Sequence, residues 1–123
     1  MADNRYVMKR DEHGSVEISM DVIATIIGIA ALKVEGVSSL HGGITAENIE
    51  HQTSKVLAKG IRIGRNDEGV SIDIALNLKF GTELMEVVPS VQEKVKDTVE
   101  DMIGIEISSV NVKIVGIDPE SAQ

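Results

Sequence analysis

From Val70 to Phe80 the chain alternates without a break. Val70, Ile72, Ile74, Leu76, Leu78 and Phe80 fall on one side, and Ser71, Asp73, Ala75, Asn77 and Lys79 fall on the other. A period of two is the mark of a strand, here with one buried and one wetter face. Ile61 and Ile63 alternate just upstream, and the polar segment from Arg65 to Gly69 reads as a turn. The two segments therefore predict an antiparallel hairpin.

An apolar strand face needs a second layer, and two segments have the spacing to supply it. Ser19 is suited to cap a helix whose first turn carries Asp21. Val22, Ile23, Ile26, Ile27, Ala30, Ala31 and Val34 then recur at three- and four-residue steps, ending near Glu35-Gly36. Ala24, Ile29 and Leu32 widen this apolar surface beyond one stripe, so the helix should be covered on nearly all sides. Burying each large side chain is worth roughly 1.5–3 kcal/mol. Either the sheet and a neighbouring element enclose the helix, or a second protein covers part of it. Gly28 either permits a close approach by that protein or packs against its own sheet. Thr25, Gly28, Ile29 and Leu32 are accordingly the candidate interaction surface.

Gly81-Thr82 ends the long strand and caps the second helix, with Leu84, Val87, Val88, Val91, Val95, Val99 and Met102 on one face. Pro89 inside this pattern predicts a kink, or a helix that begins there. Short strands are expected at 15–19, at 37–41 and through Val110, Val112 and Ile114, ending by Ile117. The segment 45–59, after Gly42-Gly43, has a charge order suited to a helix but only a thin apolar face. The expected class is α+β: two main helices on one face of a small, largely antiparallel sheet, in the order β-α-β-(α)-β-β-α-β. One domain is expected over 14–117, with a flexible arm over 1–13 and a tail over 118–123.

The composition narrows the chemistry. Twenty acidic against twelve basic residues leave a net charge of −8, which opposes binding to a phosphate backbone. Tyr6 and Phe80 are the only aromatic residues, so stacking platforms for single-stranded nucleic acid or sugar are lacking as well. Without cysteine there are no disulfides, thiolate metal sites or cysteine nucleophiles. The first fourteen residues are polar, with no apolar stretch of the signal-peptide kind. The longest uncharged apolar run, Val22 to Leu32, falls short of the ~20 residues that span a bilayer. A cytoplasmic location is expected.

No constellation specifies catalysis. His13, His41 and His51 are scattered, and Asp11-Glu12-His13 reads as a solvated segment rather than a metal site. Gly60, Gly64 and Gly69 lack the strand, lysine and helix order of a phosphate loop. Asp67-Glu68 and Glu100-Asp101 fall in a turn and on a polar helix face, whereas catalytic carboxylates need a cleft. No serine lies in a nucleophile-elbow motif. The expectation is a protein that is not an enzyme and has neither cofactor nor metal.

Gly14-Ser-Val-Glu-Ile-Ser19, Gly28-Ile-Ala-Ala31, Val34-Glu-Gly-Val37, Ile72-Asp-Ile74, Lys79-Phe-Gly81, Met102-Ile-Gly104 and Val110-Asn-Val112 occur in an order that resembles the alkaline shock protein family, the envelope stress response proteins of Gram-positive bacteria. The resemblance covers Gly14 to Ile117. It implies a non-catalytic interaction or scaffold protein of cell-envelope homeostasis, with self-association and protein partners such as a membrane-anchoring protein. One branch, to which the chain is similar, implies regulation of fatty-acid synthesis through an acetyl-CoA carboxylase component. A small-molecule-binding role is the third expectation. Any membrane location would come through a partner rather than a direct span.

Overall fold

The computed structural model describes residues 6–119. In chain order the elements are β1 (Tyr6–Asp11), β2 (Gly14–Ser19), α1 (Met20–Leu32), β3 (Val37–Leu40), a 3₁₀ turn (Ile49–His51), α2 (Ser54–Leu57), β4 (Ile61–Asn66), β5 (Gly69–Lys79), α3 (Leu84–Ile103) and β6 (Ile107–Asp118). The alternating segment is β5, and both of its edges are taken. β6 pairs with it from Val70 to Lys79, while β4 and β3 share the other edge end to end. At the junction the Ala75 amide donates to the Gly60 carbonyl (2.8 Å), and the Ala75 carbonyl accepts from the His41 amide (3.0 Å). No rung of β5 is lost where β4 gives way to β3.

The α+β class is as expected, and the β4–β5 hairpin is present with the register Ile61↔Ile74 and Ile63↔Ile72. The sheet is mixed, because β6 runs parallel to β5. The cause is α3, whose 20 residues carry the chain back about 30 Å. β6 therefore starts beside the start of β5 and runs the same way, as a crossover requires. Apolar alternation has no direction, so it is silent on this point.

Val70, Ile72, Ile74, Leu76 and Leu78 are buried under the two helices. α1 runs toward the end where β5 stops, since β3 follows it and pairs with Leu76–Leu78. α3 starts at that end and runs back, burying a ridge of Val87, Val91, Val95 and Val99. It passes through Pro89 rather than beginning there, and Glu83, not Thr82, precedes its first residue. Ser19 caps α1 as expected, its Oγ accepting from the Asp21 amide at 3.0 Å.

Three parts of the chain differ from expectation. Residues 6–11, expected within a flexible arm, form β1 and pair with β2, placing buried Val7 opposite Ile18. Lys9 fastens this hairpin to the body, with Nζ donating to the Gly104 carbonyl at 2.6 Å. Helix C-termini leave carbonyls unpaired and carry partial negative charge, so a lysine there is well placed. Of residues 7–11 only Val7 is buried, so no apolar period announces the strand; residues 1–5 of the arm lie outside the described residues. Asp118, expected to open the tail, ends β6. Residues 45–59 make only the 3₁₀ turn and the short α2. Asn48 there accepts the Thr45 amide on Oδ1 and itself bonds Gln52, and such local bonds compete with a continuous helix.

Gly69 has φ +129°, and a Cβ there would lie 2.7 Å from the Glu106 carbonyl oxygen. That oxygen also accepts the Val70 amide at 3.0 Å and so cannot withdraw freely. Gly69→Ala is expected to cost about 1–3 kcal/mol, measurable as a lower urea midpoint with unchanged slope.

Candidate interaction surface

The four α1 residues singled out from the sequence do not share one surface. Gly28 faces inward: a Cβ there would come within 2.5 Å of Ile49 Cδ1 and 3.0 Å of Leu40 Cδ1. Its small size serves the chain's own packing, with the 3₁₀ turn seated over it. Thr25 is half-buried and its hydroxyl donates to the Asp21 carbonyl at 2.9 Å, one helical turn back. Leu32 is half-buried against the core. Ile29 is the candidate left outside, 38% exposed, and Val22 shares its outward side two turns earlier. The wide apolar surface of α1 is thus explained mainly from within, by the sheet, α3 and the segment 45–58 closing around it.

A more exposed apolar surface lies where β5 and β6 end and α3 begins. Phe80 is 62% exposed, Met85 84%, and Leu84 and Ile117 are also exposed. The Phe80 amide donates to the Asp118 carbonyl at 3.1 Å, which sets Phe80 beside the end of β6. The tight turn closed by the Thr82 amide on the Lys79 carbonyl (3.2 Å) brings the first residues of α3 to the same end. Sequence patterning placed Phe80 on the buried side of the strand, and Leu84 and Met102 on the buried side of the helix. All three are exposed. The apolar alternation continues one residue past the sheet, and Leu84 and Met102 lie in the first and last turns of α3. The adjacent Gly81 was the available signal that Phe80 stands outside.

A groove of about 700 Å³ runs beside this end, between the chain after α1 and the outer side of α3. Five carboxylates line it, from Glu35, Glu83, Glu86, Glu93 and Asp97, against Lys33 and Lys94. A hydrogen bond that the protonated Glu86 carboxyl donates to Glu83, and secondarily partial loss of water, raise the Glu86 carboxyl above its ordinary pKa. The folded state therefore holds this proton more tightly than the unfolded chain. The resulting stabilisation is present below the unfolded pKa and is lost as pH rises through the raised value.

The remaining polar candidates have structural roles or none. Glu100 Oε2 accepts the Ile107 amide at 3.0 Å, tying α3 to the start of β6. Asp67 and Glu68 form the exposed hairpin loop. Among the described residues no group of three or more His, Asp or Glu side chains is arranged to hold a metal ion, and no buried side chain is polar or charged. No helix among them is long and apolar enough to cross a membrane.

Gly28→Val is expected to destabilise by about 1–3 kcal/mol through overpacking against Ile49 and Leu40, whereas Ile29→Ser should change stability by less than about 1 kcal/mol; chemical denaturation of both variants checks this. In a carbon-detected NMR titration, the Glu86 carboxyl should titrate above the ordinary glutamate pKa, and Glu83→Ala should lower it.

Residues 8–119 match the model of a family described as the alkaline shock protein 23 family, of cell envelope-related function. The chain is 36% identical over 108 residues to the uncharacterized protein YqhY of Bacillus subtilis, covering 87% of this chain and 80% of that one. It is 32% identical over 114 residues to YloU of the same organism, covering 88% and 92%. A stress response regulator gls24 homolog of Streptococcus pyogenes is 30% identical over 108 residues, which make up 85% of this chain and 59% of that longer protein. In fold the chain is similar to the MamM CTD, with a TM-score of 0.51 at 16% identity, covering 81% and 100% of the two chains. The chain belongs to the alkaline shock protein 23 family, whose function is cell envelope-related.

Proposed function

We propose that the chain is a non-catalytic protein of cell-envelope homeostasis that acts by binding other proteins through its apolar end. The observation that carries this reading is the placement of Phe80. The sequence holds two aromatic residues, and one of them stands 62% exposed, five residues before a Met85 that is 84% exposed. Burying such side chains is worth roughly 1.5–3 kcal/mol each, and aromatic and methionine side chains are enriched where proteins meet. Leu84 and Ile117 extend the surface, and the acidic groove beside it would favour a partner with basic residues at its rim. Ile29 and Leu32 on α1 are a second, smaller contact region. The family's cell envelope-related description and its relatives named as stress response regulators agree with a regulatory or scaffolding role.

The test is capture of partners from a native host lysate by the tagged protein, by Phe80→Asp/Met85→Asp and by Ile29→Asp. Partners recovered by the parent and reduced at least about tenfold by the double variant, with the circular dichroism spectrum kept, are the expected result. Loss with Ile29→Asp alone would move the surface to α1. Undiminished capture by both variants would end this reading of the surface.

A further inference from the structure

The face of the sheet turned away from the helices carries a depression of about 460 Å³ whose chemistry is opposite to that of the rest of the chain. Its floor is Ala75, the smallest outward side chain of β5. On one side of Ala75 lie Gly60 and His41, the two residues that meet where β4 gives way to β3; a Cβ on Gly60 would sit 3.3 Å from His41 Cβ. On the other side, Lys113 of β6 is the register partner of Ala75. Lys59 and Arg62 flank Gly60 along the chain and also line the depression. Two small residues thus leave a hollow, and three long cationic side chains and a histidine stand around it.

The charge pattern is selective. The chain has twelve Lys and Arg against twenty acidic residues, yet Lys59, Arg62 and Lys113 line this hollow with Asp73 as its one carboxylate. Asp73 is engaged by Asn111, whose Nδ2 donates to Oδ1 at 2.8 Å. It forms no ion pair with Arg62, although the two are register partners. Among the described residues, none of the three cations has an ion-pair or side-chain hydrogen-bond partner. Unpaired cations converging on one hollow raise the local concentration of a small anion even on an acidic protein, while the net charge still repels a long polyanion. The planar fork of Arg62 matches two oxygens of one phosphate, and the lysines add point charge.

We propose that this depression is a binding site for a phosphate-bearing ligand, held by Arg62, Lys59 and Lys113 with His41 at its edge. The phosphate comes from a free phosphate ester or from an anionic lipid headgroup. This site is separate from the apolar end, at which proteins are proposed to bind.

The experiment is a titration of the ¹⁵N-labelled full chain with pyrophosphate, followed by amide NMR signals. Saturable shifts are expected at His41, Gly60, Arg62, Ala75 and Lys113. Affinity should fall at least about tenfold in Arg62→Gln/Lys113→Gln. It should stay within about twofold in Lys94→Gln/Lys96→Gln, which removes the same charge from α3. Co-sedimentation with phosphatidylglycerol vesicles but not phosphatidylcholine vesicles, abolished by Arg62→Gln/Lys113→Gln, identifies a lipid headgroup as the source. Saturable pyrophosphate binding without sedimentation identifies a free phosphate ester. Shifts spread over the exposed lysines, equal losses in the two double variants, or no response to either probe overturns the proposal.

Discussion

The structure depends on the saturation of β5. One strand meets β6 along one edge and β4 and β3 along the other, and its five buried side chains lie under both helices. Backbone groups withdrawn from water must be paired, and at β5 the pairing continues even across the change from β4 to β3, through Ala75. The other strands of its four-stranded sheet are positioned by reference to this strand. α1 delivers β3 to its far end, and α3 returns the chain so that β6 lies alongside in parallel. Because β5 is enclosed on three sides, its own side chains reach solvent only on its fourth side and at its ends.

Those remaining regions divide by chemistry. At the end where β5 and β6 stop, apolar side chains stand in water beside a groove lined mainly by carboxylates. On the open face, small residues and unpaired cations make a hollow of the opposite charge. The same topology produces both. Ending the two parallel strands together concentrates turn residues at one end, and splitting one edge of β5 between β3 and β4 creates the junction at which Gly60 and His41 meet.

Much of the architecture was legible because its signals are local. The alternation of β5, the β4–β5 hairpin, the Ser19 cap and the valine ridge of α3 each follow from the period of one segment. The candidate surface was less legible. From the sequence, α1 is closed either from within or by a second protein, and Gly28 fits both readings; its neighbour is Ile49, twenty-one residues later in the chain. The segment holding Ile49 has a weak period of its own, since it covers α1 by a few anchored side chains rather than by a regular face. Phe80 was assigned to the buried side because the alternation continues to it, although the sheet stops at Lys79.

The sequence by itself determined the α+β class, the central strand, both main helices, the absence of thiol chemistry and the family, because these depend on residue types and their spacing along a short stretch. Tertiary structure alone decided the parallel direction of β6, the pairing of residues 6–11 with β2, the inward placement of Gly28 and the gathering of Lys59, Arg62 and Lys113 around Ala75. Each of these depends on which distant segments become neighbours. Periodicity tells which side of an element is apolar; it does not tell what will lie against that side, or where the covering ends.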